Sequence, residues 1–202
     1  LADACLPRGI AGVPMSKVPN PARRTRMRIP PQRSLVHFVG PAIALLAANA
    51  VLSFTAHPWL LPSLGGSCVI LFGMARGIMA QPRSFLGGHL LSTMTGLVFN
   101  QGYHAFGGSL ALWIAFSVGA ALALMAITRT IHSPAGANPV VVFAEDAHWG
   151  FLLAPLLPGL IVLFLVALVL NNLPRPWGAG PWPRFLPEWR RASLGRNARE
   201  IP

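Results

Sequence analysis

Four stretches of this chain are long, apolar and free of charged residues, which leaves few folds open to it. A helix needs roughly 20 residues to cross the hydrocarbon core of a bilayer, and none of the four stretches contains Asp, Glu, Lys or Arg. They are Leu35 to Phe54, Phe85 to Tyr103, Gly108 to Thr128 and Gly150 to Leu170. Across the chain, 53% of the residues are hydrophobic and 10% are charged. This pattern predicts an all-α membrane protein.

Two shorter apolar segments are interrupted by small residues and proline at matching places. The first broken segment runs from Pro62 to Gly73 and begins Pro-Ser-Leu-Gly-Gly-Ser. The second broken segment runs from Ser133 to Ala144 and begins Ser-Pro-Ala-Gly-Ala-Asn. Each lies between two of the long stretches, so the chain divides into halves of three segments with a short, broken middle element. Paired interruptions of this kind are typical of the binding site of a transporter.

The positions of the basic residues favour six membrane crossings. All 16 Lys and Arg residues fall at the N-terminal end up to Arg33, between Arg76 and Arg83, at Arg129, or from Arg175 onward. If every segment crosses, all four places lie on one side, and the loops on the opposite side contain no Lys or Arg. The positive-inside rule then places both termini in the cytoplasm, most simply across a bacterial inner membrane. Three crossings per half predict that the second half is inverted relative to the first, although a match this brief can also arise by chance.

The two ends of the chain differ from the apolar region between them. Residues 1–34 are rich in proline and arginine and are predicted to be a disordered basic tail. Residues 174–202 repeat Pro, Trp and Arg, as an anchor at the membrane surface would. The net charge of +11 is explained by topology and by anionic lipid headgroups rather than by nucleic acid.

Several ordered motifs lie between the two tails. They are Pro62 to Ser67 with Leu71-Phe72, Ala80-Gln81-Pro82-Arg83 with Gly87-Gly88, Arg129 to Ala137, and Asn171-Asn172-Leu173. Together these motifs resemble the HPP family of integral membrane proteins. The resemblance covers roughly residues 35–173, within which the halves are residues 35–104 and 108–173.

The resemblance implies a small multi-pass protein. Some plastid and cyanobacterial-type members of the family are linked to nitrite transport, and the family is usually described with four membrane helices, fewer than the six predicted here. The family is named for a His-Pro-Pro signature, and this chain departs from it with His132, Ser133 and Pro134. Pro134 and Gly136 keep the interruption of the helix.

The broken segments supply the candidate anion site. A helix that begins inside the protein presents free N–H groups and the positive end of its dipole to a ligand, and such starts are predicted near Gly65 and near Gly136. The candidate substrate-binding residues are Ser63, Gly65, Gly66, Ser67, His132, Ser133, Gly136, Ala137 and Asn138. At the cytoplasmic mouth, Arg76, Arg83 and Arg129 are expected to form a vestibule that concentrates anions. The alternative is that the small residues only allow close helix packing.

Two other groups of residues bear on the function. His89 and His132 are the titratable residues of the membrane region that could carry a proton, or each could simply hydrogen-bond a neighbouring helix. Small residues recur every fourth position at Gly88, Ser92 and Gly96 and at Ala115, Gly119 and Ala123, which is most simply helix packing. His57, His104 and His148 share the outer side, but their loops lie too far apart in sequence to indicate a metal site.

The sequence therefore predicts a transporter or channel for a small inorganic anion, most simply nitrite. It shows no pair of carboxylates in the membrane region and no nucleophile–base spacing, so no enzyme activity is expected. The alternative function is a structural or sensory membrane subunit. The expected partners are the anion, anionic lipid headgroups and further copies of the chain in a homo-oligomer, with no nucleic acid, metal or cofactor.

Overall fold

The computed structural model describes residues 31–55, 61–174 and 182–183. Within them every regular element is helical. The six α-helices are α1 (Pro31–Leu52), α2 (Pro62–Cys68), α3 (Pro82–Phe106), α4 (Leu110–Ile127), α5 (Asn138–Ala144) and α6 (Leu156–Asn171). Residues 1–30, His57 and most of the C-terminal tail lie outside the described residues, so the predictions for them stay untested.

The helices correspond to the predicted segments, with shifted ends. α1 begins at Pro31, four residues before the predicted stretch, and contains Pro41. α6 is shorter than the predicted stretch, because a 3₁₀ turn at Trp149–Leu152 precedes it. Two helices, Leu110–Ile127 and Trp149–Asn171 (the latter including that turn), are long and apolar enough to cross a membrane. The six membrane crossings and the inverted repeat stay predictions.

Large apolar side chains are exposed on the outside of this bundle, and polar side chains are buried inside it together with an apolar core. Phe38, Leu46 and Phe116 are 73%, 70% and 66% exposed, which in water would be an unfavourable arrangement. The fully buried side chains meanwhile include Ser67, His89, Ser92, Thr93, Ser117 and His132. Lipid accepts the outer surface because it is itself apolar, whereas the inner groups need hydrogen-bond partners within the protein. The distribution is that of a membrane protein.

The long helices pack in two pairs around the broken segments. α1 packs against α6, and α3 packs against α4. Between the pairs, α2 contacts the 3₁₀ helix Ser133–Ala137 that leads into α5, and α3 runs along α5. The two broken segments therefore meet each other inside the bundle.

The first broken segment starts earlier than predicted. Its helix begins at Pro62, not near Gly65, because proline is well suited to the first turn, where no N–H partner is needed. Gly65 and Gly66 therefore lie inside α2, and the irregularity follows them as a π-helix at Val69–Gly73.

The second broken segment matches the prediction more closely. A 3₁₀ helix covers Ser133–Ala137, and the α-helix begins at Asn138. Gly136 therefore lies in the 3₁₀ helix, two residues before the start of α5, and the helix begins near this glycine as predicted.

Two asparagines at the end of α6 secure neighbouring backbone. Asn171 donates to the carbonyl of Leu71 in the π-helix at 3.1 Å, which satisfies an acceptor where the helix is irregular. Asn172 accepts from the backbone N–H of Trp182 at 2.9 Å and donates to its carbonyl. Trp182 is 4% exposed, and its indole N–H donates to the carbonyl of Ala80 at 3.2 Å. The predicted surface anchor is wrong for Trp182, because this side chain is buried against protein.

Candidate functional site

A buried serine joins the two broken segments to α3. Ser67 Oγ, in α2, lies 2.8 Å from Nε2 of His89 and 2.9 Å from Nε2 of His132. The same hydroxyl can donate to the carbonyl of Ser63 at 2.8 Å. Ser67, His89 and His132 are each fully buried. One hydroxyl thus bridges two imidazoles that lie 22 and 65 residues away in the sequence.

The second broken segment reaches the same cluster through its asparagine. Asn138 Nδ2 donates to Oγ1 of Thr93 at 2.8 Å and lies 3.0 Å from Nδ1 of His89. Thr93 follows His89 by one helical turn, so both side chains lie on one face of α3. Oδ1 of Asn138 and Oγ of Ser63 are buried and have no hydrogen-bond partner. The cluster therefore keeps unused hydrogen-bonding capacity on both broken segments.

His132 is fixed from its other side by backbone. Its Nδ1 lies 2.8 Å from the carbonyl oxygen of Met79, in the short 3₁₀ turn Ile78–Ala80 whose last residue accepts a hydrogen bond from the indole of Trp182. Phe85 is fully buried and lies edge to face with both imidazoles, at centroid distances of 5.5 Å to His89 and 5.4 Å to His132. The ring excludes water from one side of the pair.

The three candidate glycines differ in their surroundings. A Cβ added at Gly66 would lie 3.1 Å from Cβ of Pro134, so the two broken segments touch there. No atom lies within 4 Å of a Cβ added at Gly65 or at Gly136, although both residues are half-buried. Gly66 therefore has a packing role, and Gly65 and Gly136 border open space.

The remaining candidates are not all brought to the cluster. Ser133 is exposed and Ala137 is half-buried, and neither takes part in the hydrogen bonds that join His89, Ser67 and His132. Pro134 is the proline of the signature that contacts Gly66. The serine that replaces the other proline therefore points away from the contact between the segments.

Sequence reasoning missed two members of the cluster, Thr93 and the carbonyl of Met79. The spacing of Thr93 from His89 could have identified the first, since polar residues four apart share a helix face. Nothing in the sequence marks Met79, because its contribution is backbone.

The small-residue stripe of α3 packs against the second broken segment. A Cβ at Gly88 would lie 2.8 Å from the carbonyl oxygen of Thr130, and one at Gly96 would lie 2.9 Å from Cα of Pro139. Ser92 Oγ, between them, donates to the carbonyl of Ala135 at 2.7 Å. The packing prediction for this stripe is confirmed.

The stripe of α4 behaves differently. Ala115, Gly119 and Ala123 are exposed, and no atom lies within 4 Å of a Cβ added at Gly119. The prediction of a helix–helix contact is wrong within the described chain, because this face of α4 is turned outward.

The three arginines of the proposed vestibule are exposed. Arg83 Nη2 donates to the carbonyl of Thr128 at 2.8 Å, at the C-terminal end of α4, where a positive charge is favourable. Arg129 follows directly, with a positive φ of 57°. Arg83 thus satisfies a carbonyl group at the C-terminal end of α4, beside Arg129. The vestibule stays a prediction.

A polar cluster also connects α3 to the loop after α5. Asp146 Oδ1 accepts from Asn100 Nδ2 at 3.1 Å and lies 2.6 Å from Nε2 of His104. The hydrogen bond from Asn100, followed by that from His104, lowers the pKa of the Asp146 carboxyl below its ordinary value. The cluster links the end of α3 to the second half of the chain.

This shift predicts an acid-sensitive contribution to stability. A carboxyl whose pKa is lower in the folded protein stabilises it above the unfolded-state value of about 3.9, and the contribution is lost as pH falls through the folded-state pKa. We expect Asp146→Asn to lower the melting temperature slightly at pH 6, and this difference from the unmodified protein to vanish as pH falls below about 3.9. Melting curves of the two proteins in detergent from pH 6 to pH 3 measure it. A difference that is constant with pH would contradict the assignment.

Comparison with known proteins adds a family and two relatives. The family model described as "HPP, transmembrane region" matches residues 26–178, a longer range than the 35–173 expected from the motifs. One transmembrane protein of Dictyostelium discoideum is 32% identical over 120 residues, which cover 57% of this chain and 42% of the relative. A second from the same organism is 29% identical over 145 residues, covering 70% of this chain and 47% of the relative. The chain thus spans less than half the length of these relatives, and no solved structure matches it.

Proposed function

Because the chain belongs to the HPP family of transmembrane proteins, we propose that it is a transporter or channel for a small inorganic anion such as nitrite. The anion would bind where the two broken segments meet. The observation that carries the proposal is the buried cluster on α3 in which Ser67 of one segment meets Asn138 of the other and His132 directly before it. Both segments thus contribute side chains to one polar region inside an apolar bundle.

The charges of the surrounding region support an anion rather than a cation. Between residues 61 and 174 the acidic residues are Glu145 and Asp146, both exposed and beyond the end of α5. The basic residues of the same range are Arg76, Arg83 and Arg129. Because no carboxylate lies at the cluster, a cation would have no counter-charge there, whereas neutral hydroxyl, amide and imidazole groups can donate to an anion.

The helix pairing supports the proposed inverted halves. A twofold relation that exchanges α1 with α4 and α3 with α6 would turn the α1–α6 contact into the α4–α3 contact, and both pairs pack together. The same relation would exchange the two broken segments, which also meet. Inverted halves that enclose a central site are a common transporter arrangement.

Uptake into proteoliposomes tests the proposal. We expect the purified protein to give saturable uptake of nitrite or nitrate above that of protein-free liposomes, and to exclude larger organic sulfonates. Protein-free liposomes are needed as the control because neutral nitrous acid crosses lipid unaided. Uptake equal to the control for nitrite, nitrate, chloride and formate would contradict transport.

That negative result would favour a structural or sensory subunit. The observation behind this second candidate is that Pro134 packs against Gly66 and His132 packs against Gly88. Part of the small-residue pattern therefore allows close packing. The vestibule of Arg76, Arg83 and Arg129 belongs to the transport proposal alone.

A further inference from the structure

We propose that His89, Ser67 and His132 together form a binding site for one proton that is carried with the anion. The inference rests on the proposed transport function and specifies its coupling. It is drawn from the positions of the hydrogen atoms that the hydrogen-bond geometry of the cluster requires.

The partners of each imidazole define its neutral form. Nδ1 of His132 faces the carbonyl of Met79 at 2.8 Å, and a carbonyl only accepts, so this nitrogen carries a hydrogen. Nε2 of a neutral His132 is then an acceptor. Asn138 Nδ2 can donate to Nδ1 of His89 at 3.0 Å, so the hydrogen of a neutral His89 is on Nε2 and points to Ser67. The two imidazoles are therefore in opposite tautomers.

Ser67 has one hydrogen and two acceptors within reach. In the neutral cluster it accepts from Nε2–H of His89 and donates to Nε2 of His132, 2.9 Å away. If a proton binds to Nε2 of His132, this nitrogen becomes a donor to Ser67. The hydroxyl hydrogen can then turn to the carbonyl of Ser63 at 2.8 Å. The imidazole N–H groups and the Ser67 hydroxyl each have an acceptor in both states, so one proton is accommodated by the rotation of one hydroxyl.

The proton stays on His132 in this arrangement. Nε2 of a neutral His89 already carries the hydrogen that it donates to Ser67, so it cannot take a second one through the serine. In the protonated state Ser67 Oγ accepts from the Nε2–H groups of both imidazoles, and its own hydrogen lies toward the carbonyl of Ser63. The serine is thus the shared acceptor of the two imidazoles.

The added charge has no carboxylate partner in the cluster. The groups that face the imidazoles are Ser67, Asn138, Phe85 and the Met79 carbonyl, all uncharged. The other titratable or charged residues on the packed elements or directly after them are Cys68, Arg83, Tyr103, His104, Arg129, Glu145 and Asp146. Of these, Arg83 donates to Thr128, and the acidic pair lies beyond the opposite end of α5.

A bound anion would supply the missing counter-charge. A buried imidazolium is unfavourable until it is paired, so the anion raises the affinity for the proton. By reciprocity the proton raises the affinity for the anion. A monovalent anion and one proton would then move together without net charge.

Flux measurements under a pH gradient test the coupling. Proteoliposomes at internal pH 7.5 are placed in nitrate at external pH 6.0 or 7.5, and an enclosed pH dye reports proton entry. We expect initial nitrate uptake to be faster at pH 6.0 by about tenfold, within the usual range of coupling between two sites, and to acidify the interior. Protein-free liposomes set the background.

Ser67→Ala removes the hydroxyl that accepts from the protonated His132, and it is compared with Ser92→Ala. Both changes delete one buried hydroxyl from the contact with the second broken segment, but Ser92 donates to the carbonyl of Ala135 and touches neither imidazole. We expect Ser67→Ala to lose the pH-gradient effect and the acidification, and Ser92→Ala to keep both. Equal behaviour of the two variants would overturn the role of Ser67 in the proton site.

The outcomes separate this inference from the proposed function. Anion uptake that ignores the pH gradient and carries no protons would overturn the proton site and leave anion transport standing. Absence of any anion uptake would overturn the transport proposal itself. The imidazole forms have an independent readout in ¹⁵N NMR of the protein in nanodiscs. We expect the Nδ1–H form of His132 and the Nε2–H form of His89 at pH 7.5, and the reverse assignment would overturn the proton count.

Discussion

Replacing Gly136 by leucine is expected to stop anion transport and leave the fold intact. No atom lies within 4 Å of a Cβ at this half-buried position, two residues before the start of α5. The Cβ of a leucine therefore displaces no neighbour, and the side chain extends into the space beside the second broken segment that the anion is proposed to use. We expect nitrate uptake to fall to the level of protein-free liposomes, and the melting temperature to stay within a few degrees of the unmodified protein, since helix propensity favours leucine over glycine by up to about 1 kcal/mol.

Gly119→Leu is the matched control for this change. Gly119 lies on the exposed face of α4 and is also free of neighbours within 4 Å, so the same side chain is added away from the broken segments. Normal uptake by both variants would contradict the assignment of Gly136 to the anion site. Gly66→Leu is also expected to lose transport. It is a weaker test, because the contact with Pro134 at 3.1 Å means that the packing changes as well.

Replacing Gly88 by alanine is expected to give the largest loss of stability among single-methyl additions to the small-residue stripe of α3. The added Cβ would lie 2.8 Å from both Cβ of His132 and the carbonyl oxygen of Thr130. The carbonyl belongs to backbone, so it cannot move aside by a change of rotamer. Overpacking of this kind costs about 1–3 kcal/mol and sometimes more, and we expect it to outweigh the gain of about 1 kcal/mol in helix propensity.

Thermal unfolding in detergent measures the effect, with Gly119→Ala as the control. The control receives the same methyl group in open space, so it should be as stable as the unmodified protein or slightly more stable. Because the Cβ added at Gly88 would lie too close to Cβ of His132, we also expect Gly88→Ala to displace the imidazole to which Ser67 is hydrogen-bonded. An unchanged melting temperature for Gly88→Ala would show that the second broken segment can move away from α3 at little cost.

The sequence was sufficient to predict the helical bundle because lipid imposes a simple rule on composition. A helix that contacts lipid needs an uninterrupted apolar surface, and α4 and α6 have it along their whole length. α3 is longer, with 25 residues, but mixes apolar residues with Ser, Thr, His and Asn. Its polar residues face the interior of the bundle, so hydropathy alone identifies this helix less clearly than α4 and α6.

The candidate site was predictable in part, for reasons that differ from residue to residue. Proline and glycine act locally, so they marked both broken segments, although Pro62 moved the start of α2 ahead of Gly65. The partner of Ser67 was not predictable, because which histidine reaches a serine depends on packing between helices. His89 was expected either to carry a proton or to bind a neighbouring helix, and the structure places it in contact with both broken segments.

The burial of Trp182 has a practical consequence for work on this protein. Its indole N–H donates to the carbonyl of Ala80, and the carbonyl of the preceding residue, Met79, accepts from His132. Its backbone N–H donates to the side chain of Asn172. A purification tag or fluorescent reporter joined immediately after Asn172 would remove Trp182 and, with it, the hydrogen bond to the 3₁₀ turn Ile78–Ala80. Fusions should therefore begin downstream of Pro183, so that Trp182 keeps its hydrogen bond to Ala80.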